Sequence, residues 1–164
     1  AGESRAWVCT GEDTLTGGCA AAAARLRAEI DMIGSLPGLA MGDVTASDAA
    51  SPTELNFAAG VHVVDVEALA VGAGAELVLH GAAETTVVLR VATALEVGRA
   101  GRVRVGGELA PDRVLWVLSA GSRFELAADC HFVGTLLADD RAQVALGRAC
   151  FWDGAALGAA PGPS

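Results

Sequence analysis

A chain of 164 residues that is 52% hydrophobic and 19% charged can bury a core of its own and is not a disordered tail. Its apolar runs are short and broken by Gly, Asp and Arg, which argues against membrane insertion, and a net charge of −9 argues against nucleic acid as a partner. All eleven basic residues are Arg and 35 residues are Ala, a bias that points to a GC-rich bacterial genome.

Residues 1–18 are polar and Gly- and Thr-rich, and the stretch from Gly11 to Gly18 reads as turns. The start at Ala1 without Met leads to the expectation of a processed or trimmed chain. From Cys19 to Leu36 the composition turns helical. Ala20 to Ala24 favour a helix, and Leu26, Ile30, Met32 and Ile33 share one side at spacings of three and four. Gly34 and Pro37-Gly38 end it, so one flanking α-helix is expected over 19–36, its stripe packed against another element. Residues 37–56, with Ser51-Pro52, are expected to be loop.

From Phe57 the hydrophobic period changes from 3.6 to 2. Short runs such as Val61-His62-Val63-Val64, Leu77-Val78-Leu79, Val87 to Val91, Val114 to Leu118 and Phe132 to Leu137 are separated by Gly-, Ala- or Asp-rich corners. Asn-Gly and Asp-Gly turns are almost absent between them, which disfavours a hairpin meander. A Pro-Gly-Pro tail, 159–164, closes the sequence.

The runs repeat. At an offset of 26, Leu69-Ala70-Val71-Gly72 falls on Leu95-Glu96-Val97-Gly98, Leu77 to Leu79 on Val103 to Val105, and Gly81 on Gly107. At an offset of 20, Phe124-Glu125-Leu126 falls on Val144-Ala145-Leu146, Cys130 on Cys150, Phe132 on Trp152 and Gly134 on Gly154. Repeats of 20–28 residues holding short strands predict a mainly β fold, a parallel β-solenoid (β-helix) over 57–158. Chance alternation in an Ala/Val/Leu-rich chain, or a β-sandwich, is the alternative. In the solenoid register Trp116, Phe124, Phe132 and Trp152 point inward. Ala68/Ala70, Ala94/Glu96, Arg123/Glu125 and Gln143/Ala145 stack outward on one face.

Four cysteines lack the spacing of a zinc or redox motif, and an even count in an acidic, Lys-free chain points to disulfides in an exported protein. Cys130 and Cys150, one repeat apart, would sit on adjacent coils within disulfide reach, leaving Cys9 to pair with Cys19. Two buried free thiols at 130 and 150 are the alternative.

Enzyme signatures are missing from the sequence: no Gly-x-Ser-x-Gly elbow, no His-Glu-x-x-His, no phosphate loop. Gly98 to Gly107 reads as a solenoid corner. His62, His80 and His131 lie among alternating apolar residues and read as outward or satisfied side chains. Asp139-Asp140 reads as a solvated turn rather than a calcium site. Glu96, Glu125 and Arg123 only approximate a lyase constellation. No catalytic residue, metal or cofactor is expected.

Arg113-Val114-Leu115-Trp116-Val117 followed by Phe132-Val133-Gly134-Thr135-Leu136-Leu137-Ala138 resembles the core of the secreted bacterial collagen-binding, choice-of-anchor A type adhesin domains. Gln143 to Leu146 and Phe151 to Gly154 fit that family's next coil, and Ile33 to Pro37 its accompanying helix. The ice-binding-protein-like β-solenoids are similar in the same features. The resemblance implies a secreted or cell-surface module for adhesion or structure, with matrix protein, polysaccharide or another surface ligand as partner. Open solenoid ends invite end-to-end homo-oligomers or fibres. Ice binding is the alternative function and a polysaccharide-active β-helix enzyme a distant third. Ice-binding faces are flat and Thr-rich, whereas this chain has nine Thr, four of them before residue 50. Both families place a strand segment before the helix, where only about eighteen residues stand here.

Overall fold

The computed structural model describes residues 5–9, 32–33, 35–138 and 142–159, with side chains at 32–33, 35–138 and 142–154. Its strands are β1 (Arg5–Cys9), β2 (Leu39–Ala46), β3 (Thr53–Asn56), β4 (Gly60–Val71), β5 (Glu76–Gly81) and β6 (Thr85–Val97). They continue as β7 (Arg102–Gly107), β8 (Val114–Leu118), β9 (Arg123–Leu126), β10 (His131–Ala138), β11 (Gln143–Leu146) and β12 (Phe151–Ala159). Every pairing between them is parallel. The fold is a parallel β-solenoid of about four turns, as the repeats predict.

Three walls result. The first stacks the opening halves of β2, β4 and β6, then β8, the closing halves of β10 and β12, and finally β1. The second stacks the closing halves of β2, β4 and β6, then β9 and β11. The third stacks β3, β5 and β7, then the openings of β10 and β12. The sequence offsets are the structural register: Leu69 pairs with Leu95, Leu77 with Val103, Phe124 with Val144 and Phe132 with Trp152.

Period-two alternation sends every second side chain into the interior. Leu69, Leu77, Leu79, Leu89, Leu95, Leu118 and Leu126 are buried there beside Trp116, Phe124 and Phe132. The aromatic rings form one cluster, with centroids 5.2 Å apart for Trp116–Phe132 and for Phe132–Trp152, 5.3 Å for Phe124–Phe132 and 5.7 Å for Phe124–Trp152. Both indoles spend their N–H on a neighbouring backbone: Trp116 donates to Val133 O at 2.8 Å and Trp152 to Gly134 O at 2.9 Å. Among the described residues no buried side-chain N or O atom lacks a partner.

A second apolar cluster lies outside the first wall. Val88, Val117 and Leu137 point outward yet are buried, packed with Ile33, Val63 and Leu115. Arg90, on the same wall, holds Asp65 through Nε and Nη2 at 2.5 and 2.7 Å. Its Nη1 donates to the carbonyls of Ile33 and Leu36, at 2.8 and 2.5 Å. Met32, Ile33 and Ser35 are helical, so the guanidinium meets the negative end of a helical turn. Ile33 therefore lies along the solenoid, as its amphipathic position predicts. The rest of the expected helix over 19–36, including Leu26 and Ile30, falls outside the described residues.

The expected loop over 37–56 is a correction. It holds β2 and β3, so the solenoid begins at Leu39 rather than Phe57. Alternation in β2 is hidden because register shifts on either side of Gly42 break the period, and because an end strand leaves Leu39 exposed. A second correction concerns Val144 and Leu146, which the repeat places inward but which are about half exposed. Their strand pairs only with β9 and is the last on its wall among the described residues, so no further rung covers its core-facing side chains. The pairing of β1 with β12, as the last strand of the first wall, was not expected from the sequence.

Candidate functional site

The first wall is partly covered by the cluster around Ile33, and among the described residues nothing packs over the outward side chains of the second and third walls. On the second, outward side chains form two register-paired ladders. One runs Ala68, Ala94, Arg123, Gln143, and the other Thr45, Ala70, Glu96, Glu125, Ala145. All but Thr45, which lies in the expected loop, are the stacked positions inferred from the repeats. Most are small, so the wall is low, and the Arg123–Glu96 ion pair is its main projection. Beside the second ladder runs an open groove of about 410 Å³, lined by Thr45, Ser47, Gly72, Gly98, Glu96 and Glu125 among others.

The third wall is more strongly charged. Arg104 reaches Glu76 at 2.5 Å, with Arg102 4.0 Å from the same carboxylate, and His80 contacts Glu54 at 3.2 Å. His131 is exposed with its ring 5.4 Å from Phe151, and His62 Nε2 lies 2.7 Å from Ala58 O. The three histidines thus sit apart, each against a local neighbour. Glu96, Glu125 and Arg123 do come together on the second wall, as neighbours in an exposed ladder. Asp139-Asp140 falls outside the described residues, and among those residues no group of His, Cys, Asp or Glu could hold a metal.

Threonines do not gather on one face. Thr45 belongs to the second wall, Thr53 to the third, Thr86 and Thr135 to the first. Thr85 is buried, its hydroxyl donating to Ala58 O at 3.1 Å and accepting from Ala82 N–H at 3.0 Å.

The corner between the second and third walls carries a feature that the repeats held but residue-type reasoning missed. Gly74, Ala100, Asp129 and Ala149 all have positive φ, at 70°, 57°, 61° and 56°. Backbone N–H groups bond one rung onward, Gly74 to Arg99 O, Ala100 to Ala128 O and Asp129 to Arg148 O. The residue after each of these four is small and turned inward: Ala75, Gly101, Cys130 and Cys150. Both cysteines thus belong to a ladder of small residues, Cys130 buried and Cys150 partly buried against the core. The thiol of Cys130 donates to the Cys150 sulfur at 2.8 Å, and Cys150 donates to Ala127 O at 2.7 Å. Both are free thiols in this structure. Cys9 and Cys19 have no described side chains.

Burial, reinforced by the bond to Cys150, pushes the Cys130 thiol from 9.0 up to about 12. With both thiols reduced, the unfolded chain loses this proton near pH 9 while the folded chain keeps it to about pH 12. Stability is then full below pH 9 and falls as pH rises through that window. Urea unfolding of the reduced protein between pH 8 and 11 should show the decline, and a flat profile would contradict it.

No family model matches the chain, and no curated protein matches it. The solved structures that share the fold include three ice-binding proteins. An ice-binding protein from the Antarctic ascomycete Antarctomyces psychrotrophicus is 18% identical with a TM-score of 0.56, over 87% of this chain and 70% of that one. An ice-binding protein from an Antarctic Flavobacteriaceae bacterium is 17% identical with a TM-score of 0.57, over 89% of this chain and 34% of that one. An ice-binding protein from an Arctic yeast is 17% identical with a TM-score of 0.53, over 93% of this chain and 66% of that one. The chain therefore spans about a third of the bacterial neighbour and about two thirds of the fungal ones. The likeness to ice-binding β-solenoids is one of fold.

Proposed function

We propose that the chain is a non-enzymatic surface-binding module that works through its second wall, and that ice is the surface it binds. The observation that carries this reading is the pair of register-paired ladders on that wall. Adjacent rungs repeat at about 4.8 Å, and five of the nine outward positions are Thr45, Ala68, Ala70, Ala94 and Ala145. Small side chains at fixed spacing let a rigid lattice approach the sheet over a wide area, and a rigid scaffold loses little entropy on contact. The shared fold with three ice-binding proteins supports ice over other solids. An exported or cell-surface location suits this role, and no helix among the described residues is long and apolar enough to cross a membrane.

A second reading, adhesion to a matrix protein or polysaccharide, is favoured by the charges of the open walls. Glu76, Arg102 and Arg104 on the third and Arg123, Glu96 and Glu125 on the second are hydrated groups suited to a polar polymer. An ice-recrystallisation assay run beside solid-phase binding to collagen and to acidic and neutral polysaccharides separates the two. Slowed recrystallisation with no polymer binding supports ice. Saturable polymer binding with unaffected ice growth supports adhesion, and silence in both assays would contradict surface binding.

A further inference from the structure

We propose that Cys130 and Cys150 form a redox latch that fastens the last rung, residues 142–159, onto the body of the solenoid. Two independent features meet here. The thiols already stand 2.8 Å apart at the same position of successive rungs, with Phe151 N–H bonded to Cys130 O beside them. The rung they would tie down is thinly covered: all four residues of β11 are exposed and, among the described residues, the strand pairs only with β9. Cys130 belongs to the core and Cys150 to this loosely covered rung, so a bond between them joins a fixed element to a weak one. The consequence reaches further, because β12 follows Cys150 directly and β1 is held by β12 through five paired residues. A latch at one corner therefore also secures the N-terminal strand.

The chemistry is thiol–disulfide exchange with a low-molecular-weight disulfide as oxidant. Cys150, the half-buried member, attacks first as its thiolate and displaces one small thiol, giving a mixed disulfide. The Cys130 sulfur, losing its proton, then attacks the Cys150 sulfur and releases the second small thiol. One small disulfide is reduced to two thiols, two cysteine thiols are oxidised to one disulfide, and the two cysteine protons end on the released thiols. The buried, proton-retaining Cys130 makes the second step slow in both directions. The closed latch is for the same reason protected from exchange.

The test is peptide mapping and amide hydrogen exchange on the whole chain, equilibrated in oxidised or in reduced glutathione. Oxidation should give a 130–150 linkage and slow exchange over 142–159 and 5–9 on the order of 10- to 100-fold, with the paired residues of β4 and β6 unchanged. Cys150→Ser should abolish the difference between the two buffers. Thiols that stay free in oxidised glutathione, a linkage of Cys130 or Cys150 to another cysteine, or equal protection of the last rung in both buffers would overturn the proposal.

Discussion

Replacing Trp116 by alanine is expected to remove about 3–5 kcal/mol of stability. The indole is fully buried in the aromatic cluster, its ring tilted against Phe132 and its Nε1–H donating to Val133 O. Three losses therefore coincide. Apolar surface returns to water, a cavity opens where neighbouring rungs cannot collapse because their backbones are tied strand to strand, and the Val133 carbonyl loses its donor. A domain of this size has about 5–15 kcal/mol in total, so the variant should be marginal. Urea unfolding of wild type against Trp116→Ala measures the effect. Val61→Ala, at a side chain 72% exposed on the same wall, is the control and should change stability by less than about 0.5 kcal/mol.

Gly154→Ala should cost about 2–6 kcal/mol, combining backbone strain with displacement of a packed neighbour. At this corner the third wall passes directly into the first, and the chain turns through Gly134 and Gly154 with φ of 108° and 152°. A Cβ on Gly154 would fall on the carbonyl of Gly134, one rung away, and a Cβ on Gly134 would meet Trp116 Nε1 at 2.7 Å. Neither obstacle is the free end of a flexible side chain. Gly42→Ala provides the contrast: φ is 68° but nothing lies within 4 Å of the new methyl, so only the left-handed strain remains, about 1–2 kcal/mol. A larger loss at Gly154 than at Gly42 in thermal unfolding identifies rung-to-rung contact as the cause.

The solenoid was legible because its repeat places unlike residue types in register. Aliphatic residues alone could coincide in so Ala- and Val-rich a chain, but Phe132 with Trp152, Gly134 with Gly154 and Cys130 with Cys150 share one offset, and the first two pairs are register partners. The outward ladders of the second wall follow from the same arithmetic. Elements at the ends were not legible, for a common reason. Alternation marks a strand only when one side is buried, and β2 and β11 are end strands whose core-facing positions are partly wet, so the pattern of one resembles a loop and that of the other does not show its exposure. The Gly42 irregularity hid β2 further. The docking of β1 on β12 joins opposite ends of the chain, and no local pattern encodes such a pairing. The corner ladder of Gly74, Ala100, Asp129 and Ala149 was missed because backbone conformation, not side-chain chemistry, is what those positions share.

The choice between ice and a polymeric ligand rests on side chains rather than on fold. Glu96, Glu125 and Arg123 interrupt an otherwise low second wall, and Arg123 and Glu96 largely neutralise one another. Two of the three charges are thereby drawn together across adjacent rungs, leaving Thr45 with Ala68 and Ala70 on one side and Ala145 on the other as the flat parts of the wall.

Partition of the protein into slowly grown ice tests the central claim most directly when wild type is compared with variants of each open wall. Wild type and the third-wall variant Arg102→Ala should enter the ice equally, and the second-wall variants Ala70→Arg and Ala145→Arg should be left in the liquid while unfolding at the wild-type temperature. Exclusion of the folded wild-type protein from ice, or equal incorporation of all four proteins, would contradict an ice-binding second wall.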